Sequence, residues 1–211
     1  MQSSSYTREE EIANSLTHGA GFLLSIVGLA VLVTFAALRA DAWAVTASAV
    51  FGASLVLLYA SSTLYHAIQT APLKQTWRVI DHVAIFYLIA GTYTPFMLVN
   101  LRGPWGWSLF GVVWALAIAG TVLKIFFTGR FRVLSTLIYL FMGWIVIVAV
   151  KPLVATLPRA GLILLFAGGI AYSLGTVFYL WKRLPYHHAV WHLFVLTGSI
   201  CHFFAVFVSI V

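Results

Sequence analysis

The chain has 211 residues, of which 62% are hydrophobic, 16% aromatic and only 8% charged, where a soluble domain carries about 25% charged residues. That composition excludes a soluble globular fold and calls for a lipid surrounding. The formal net charge of +7 is scattered over short connectors without the contiguous basic surface a nucleic-acid partner needs, and a single cysteine, Cys201, excludes an intrachain disulfide and a thiolate zinc site.

Residues 1–17 are expected to form a short cytosolic tail. Arg8 followed by Glu9, Glu10 and Glu11 lacks the basic start of a cleaved signal peptide, so the first apolar segment is expected to stay in the mature protein. Seven stretches free of Asp, Glu, Lys and Arg then follow, at 12–38, 42–73, 82–101, 103–123, 133–150, 160–181 and 184–211. Each can hold a spanning helix, which needs about 20 apolar residues. The predicted spans are 18–38, 43–66, 81–100, 105–127, 133–150, 160–181 and 188–211, and connectors such as 128–132 leave no room for another domain. The fold class is therefore an all-α integral membrane protein, a seven-helix bundle over 18–211.

Along these spans, Trp43, Trp105 and Trp107 fall near one set of ends and Trp77 and Trp181 near the other, as interfacial belts do. Pro95 is expected to kink the third helix, with Thr92 or Thr94 able to take up a freed carbonyl. Gly168 and Gly169 predict a close helix approach in the sixth. Of the Lys and Arg residues, Arg8, Lys74, Arg78, Lys124, Arg130, Arg132, Lys182 and Arg183 fall on the side of the N terminus, and only Arg39, Arg102, Lys151 and Arg159 on the other. The positive-inside bias puts the N terminus in the cytosol and, after seven spans, the C terminus outside.

Topology then assembles a site. Past Ala42 the chain carries one acidic side chain, Asp81, where the third apolar segment begins. An ionisable group in a membrane is usually paired, wetted or bound to an ion. The second helix ends inside with Ser62 and His66 one turn apart; the seventh starts inside with His188 and His192, which are i and i+4 and so share one helical face. Three imidazoles and a carboxylate thus reach one depth. Zinc suits them: three neutral imidazoles at about 2.0–2.1 Å with an open fourth position describe a catalytic site, whereas harder cations prefer oxygen-rich sites. Asp81 is expected either to bind directly or to hold a water beside the metal, with Ser62 adding a hydrogen bond.

The other histidines divide by direction. His202 lies too far along the helix to join the same ion, about 15 Å beyond His192, and is expected as a satisfied core histidine or a deeper wall of the same cavity. His82 and His187 point about 100° away from their site neighbours and are expected at the interface. His18 and Asn14 enter with Glu11, where helix capping explains them as well as a role near the site.

As an ordered set, Glu11-x-x-Asn14-x-x-Thr17-His18, Ser62-x-x-x-His66, Asp81 and His188-x-x-x-His192 resemble the hemolysin III family, the bacterial branch of the progestin and adiponectin receptor family. The resemblance covers nearly the whole chain. It implies a plasma-membrane protein with a cytosol-facing zinc held by His66, His188 and His192, and Asp81 linked to the metal through water. It also implies ceramidase-like hydrolysis of a lipid amide; by the chemistry of such a site a zinc-activated water is expected to attack an amide or ester, with Asp81 as base and then acid and Ser62 orienting it or meeting the oxyanion.

The alternatives are a receptor-like or membrane-homeostasis protein with a structural zinc, and a pore, for which polar stripes through the bilayer are lacking. A retinal protein would need a lysine in the last helix, and none follows Lys182. G-protein-coupled receptors place the N terminus outside, against the charge bias.

Overall fold

The computed structural model describes residues 6–210. Among them every regular element is helical: α1 (Arg8–Arg39), α2 (Ala42–Ala67), α3 (Ala71–Pro95), α4 (Pro104–Phe127), α5 (Arg132–Trp144), α6 (Val150–Thr156), α7 (Arg159–Leu180) and α8 (His187–Ile210). A π-helical turn, Phe96–Asn100, continues α3, and a 3₁₀ turn, Ile145–Ala149, joins α5 to α6 so that the two make one crossing. Seven helical segments are long and apolar enough to cross a membrane. The chemistry requires it, since lipid offers a backbone N–H no partner other than its own chain.

Two helices run past the apolar stretches that predicted them. Residues 1–17 were expected as tail, yet α1 begins at Arg8 behind a capping box in which Glu10 N–H donates to Thr7 Oγ1 (3.2 Å) and Thr7 N–H donates to Glu10 Oε2 (2.9 Å). This box, not Asn14 or His18, satisfies the helix start. Residues 1–5 and Val211 lie outside the described residues. Helix α3 begins at Ala71 with a proline in its first turn, ten residues before Asp81.

Beyond Pro95 the expected interruption takes the form of the π turn, closed by Leu101 N–H donating to Phe96 O (2.8 Å). Thr92 and Thr94 donate to Leu88 O and Ala90 O, each at 2.8 Å, so neither takes the Gly91 carbonyl that Pro95 leaves without its usual donor. At the far end of the bundle Asp41 caps α2 through Ala44 N–H (2.9 Å) and pairs with Arg102 (2.8 Å). Arg102's hydrogen bond, with the cap, holds the Asp41 carboxyl below the usual carboxylate range. Both side chains are exposed, so the pair orders the loop more than it stabilises the fold.

The helices alternate in direction, bringing the start of α1, the end of α2 and the starts of α3, α5 and α8 to one end. Helix α1 lies along α2, α2 along α3, and α7 along α8, while α8 also touches α1. The core between them is built from Phe51, Leu55, Phe86, Val113, Met142 and Val206. Of the two glycines expected at a close approach, Gly168 faces the His202 ring and the Gly198 carbonyl of α8, whereas Gly169 has only the Trp144 ring at ordinary contact distance; Gly52, not singled out by the sequence, lies against Leu29 with too little room for a methyl group. Such contacts supply the packing that a hydrophobic effect between lipid-bathed helices cannot.

Candidate metal centre

At the shared end, His66 from α2 and His188 and His192 from α8 each offer a ring nitrogen, and these atoms lie within 4.8 Å of one another. All three rings are buried. The pair on α8 meets at a ring-centroid distance of 4.5 Å, as its i, i+4 spacing requires, and His66 sits 5.0 Å from His188 and 5.3 Å from His192.

What surrounds the rings decides which nitrogens are free. His66 Nδ1 lies 2.6 Å from Glu11 Oε2, and Lys74 Nζ, at 2.8 Å, holds the other carboxylate oxygen. That contact places the proton on Nδ1 and leaves Nε2, which is buried and has no hydrogen-bond partner among the described residues. His192 Nδ1 donates to the Asn14 carbonyl at 3.1 Å, with Thr17 Oγ1 also at 3.1 Å, so its Nε2 is likewise the unprotonated nitrogen. Each imidazole anchored through one nitrogen presents the other, the arrangement by which a metal-ligating histidine is oriented. The donor set therefore fits a metal ion: two oriented imidazoles, and a third, His188, whose buried Nδ1 has no hydrogen-bond partner among the described residues.

Helix α1 supplies these supports from one face. Glu11, Asn14 and His18 are all buried on it. The His18 ring stacks on His192 at 3.4 Å between centroids, 12° from parallel, and meets Tyr59 edge-on. Tyr6 closes the cluster from the N-terminal side, stacked on His188 at 5.1 Å. Burial, reinforced by Tyr65 and Tyr179, holds its phenol above the ordinary tyrosine value. The Glu11, Asn14 and His18 spacing was legible as an ordered motif but not as a support for histidines on other helices. Tyr6 carries no sequence signal of its kind.

A polar cavity of about 460 Å³ opens beside the cluster, lined among others by His18, Ser62, Asp81, His82, His188 and His192. Asp81 is buried and lines this space, outside the set of three imidazoles whose ring nitrogens lie within 4.8 Å of one another. Ser62, also buried, shares the cavity wall.

His82 and His187 were expected at the interface; both line the cavity, because the bundle wraps α3, α5 and α7 around that side. His82 Nδ1 donates to Arg78 O (2.7 Å), and His187 Nδ1 lies 3.2 Å from Phe178 O. His202 borders a different, apolar cavity between α3, α5, α7 and α8, with Nε2 3.0 Å from Leu165 O. Trp191 is common to the two cavities.

Fold and site together define a seven-span helical membrane protein with a buried three-histidine cluster at one end. The profile of the family described as "Haemolysin-III related" matches residues 6–203, and the chain belongs to that family. It is 55% identical over 201 residues to the "Hemolysin-3 homolog" of Bacillus subtilis (strain 168), covering 95% of this chain and 94% of that one. It is 52% identical over 198 residues to the "Hemolysin-3" of Bacillus cereus, covering 94% and 90%. A more distant likeness, 29% over 203 residues and covering 93% and 83%, links it to the human "Monocyte to macrophage differentiation factor".

Proposed function

We propose that this protein is a zinc-dependent hydrolase of a lipid amide or ester, working at the cytosolic face of a bacterial plasma membrane. The observation that carries the reading is the donor set: three buried imidazoles, two of them oriented by Glu11 and Asn14, beside a polar cavity that also holds a carboxylate. Imidazole nitrogens select a borderline metal such as zinc over calcium or magnesium. Bound there, zinc supplies Lewis acidity, bringing the pKa of a water it holds to about 7.

The chain's own residues do the remaining work. Asp81, facing the cavity, takes a proton from the attacking water and returns it to the leaving nitrogen or oxygen. Ser62 orients Asp81 or donates to the developing oxyanion. His18, stacked on His192, keeps that ring from rotating away. The apolar cavity that shares Trp191 as a wall with the polar one is a candidate place for the hydrocarbon part of a lipid. Eight of the twelve Lys and Arg residues lie toward the cluster's end of the bundle, which supports a cytosolic N terminus.

The test is to purify the protein with its metal, measure zinc per chain, and follow fatty-acid release from a panel of ceramides and acyl esters. Release that stops on chelation and returns with zinc supports the reading; a chain without zinc, or zinc without release from any of these lipids, counts against it. Glu11 supplies a further expectation. Glu11→Gln removes the charge that orients His66 and should weaken zinc about 10–100-fold, the usual effect of losing such an outer partner. Competition with a chelator of known affinity measures it, and an unchanged affinity would show that Lys74 and Glu11 merely pair with each other.

A further inference from the structure

We propose that the mouth of the histidine cavity is a binding site for a phosphate-bearing anion, formed by Arg78 of α3, Arg132 of α5 and Lys182 of the connector between α7 and α8. All three side chains line the cavity, and they come from three different parts of the chain. None forms an ion pair among the described residues, where the four pairs present use Glu11, Asp81 and Asp41 with other partners.

The acids that could have neutralised these cations are engaged elsewhere. Glu11 is held by His66 and Lys74, and Glu10 accepts the backbone N–H groups of Thr7 and Tyr186. Asp81 has His82 Nδ1 3.8 Å away and Ser62 beside it, and feels the charge of Arg78 only from beyond ion-pair contact. The cations consequently act on one another: the Arg132 charge, with lesser effects of burial and Arg78, holds the Lys182 ammonium below the usual lysine range. Arg132 is also fixed in place, its guanidinium lying 5.6 Å from the centre of the Tyr179 ring.

The positive-inside bias explains why this face is basic. It does not explain why three cations, two of them half-buried, line one cavity while Arg130 and Arg183 of the same face lie outside it. Two guanidinium forks and an ammonium around one space match a group with several anionic oxygens, and arginine meets phosphate bidentately. Such a group enters either as a free phosphate or as the headgroup of a lipid whose scissile bond reaches the histidines. The second assignment makes the substrate a phosphate-bearing lipid and rests on the hydrolase reading; the anion site itself does not.

The experiment measures retention of phosphatidylglycerol, phosphatidylcholine and inorganic phosphate by the zinc-loaded protein in detergent, using native mass spectrometry. Wild type is expected to keep phosphatidylglycerol over phosphatidylcholine, and Arg78→Gln/Arg132→Gln/Lys182→Gln to bind it at least about tenfold more weakly with zinc unchanged. Arg130→Gln/Arg183→Gln is expected to match wild type. Displacement of the lipid by millimolar inorganic phosphate supports the site with the phosphate group alone as ligand; lipid that resists phosphate yet is lost in the triple variant supports it with the headgroup of an intact lipid.

Equal loss in the Arg130/Arg183 variant, or full retention in the triple variant with zinc in place, overturns the proposal. Should the triple variant fail to fold, wild type decides: retention indifferent to salt up to about 1 M, where the Debye length is about 3 Å, also overturns it. Asp81→Asn separates the two readings, since it should keep the anion whatever becomes of turnover. Anion retained by a wild type that hydrolyses nothing sinks only the hydrolase.

Discussion

His66→Ala, His188→Ala and His192→Ala should each strip zinc from the purified protein, weakening it by more than the 10–100-fold typical of an outer partner, at least about 100-fold. The three ring nitrogens lie within 4.8 Å of one another, and no other histidine, cysteine or carboxylate among the described residues joins their group to substitute for a missing one. Elemental analysis of purified variants gives the stoichiometry, and chelator competition the affinity. The loss should also appear as stability. His66 belongs to α2 and the other two to α8, which otherwise share few contacts, so an ion between them fastens helices that pack mainly on other neighbours. At a free zinc concentration 100 times Kd, that linkage is about 2.7 kcal/mol, and a variant unable to bind forgoes it. His202→Ala is the control, because its ring borders the apolar cavity and should leave zinc untouched. Stoichiometric zinc in His66→Ala would remove α2 from the site and with it the proposed centre.

How much of this was readable beforehand follows from which signals are local. Seven apolar stretches and the i, i+4 pair His188 and His192 are properties of contiguous sequence, and topology alone carries His66 to the same depth. Direction around a helix is less secure: His82 and His187 turn away from their neighbours by the 100° step, yet the bundle closes around them and the cavity reaches them. The supports of the cluster were harder still. Glu11 and Asn14 act on rings 55 and 178 positions away, a pairing that depends on α1 lying beside both α2 and α8. Apolarity marks the lipid-facing length of a helix and not its hydrogen-bonded length, so the helical start of α1, where Thr7 and Glu10 cap it, is not legible from the apolar stretch. Likewise the convergence of Arg78, Arg132 and Lys182 is hidden in a list of basic residues that serves orientation equally well.

Asp81→Asn is expected to keep zinc and lose about 10²–10⁴-fold in turnover of the lipid substrate, the range that a positioned general base contributes. The substitution preserves shape, so the buried position near His82 should stay filled; it removes the cavity carboxylate that is not spent on backbone N–H groups as Glu10 is. Zinc should stay because the carboxylate lies outside the grouped ligand atoms. Measuring zinc content and product release on the same preparation separates three cases. Zinc lost with turnover makes Asp81 a ligand. Zinc and turnover both kept remove Asp81 from the chemistry and shift the proton's path to another residue. A wild type with zinc but without turnover, whose stability falls on chelation, makes the ion a fastening between α2 and α8. That outcome has its own physical basis here, because Glu11 and Asn14 tie α1 to the same rings and a metal at their centre would join three helices at one end of the bundle. The hydrolase demands more of the site than fastening does: a cavity beside the ligands and a carboxylate on its wall, and the polar cavity lined by Asp81, His188 and His192 is a feature that a fastening has no need of.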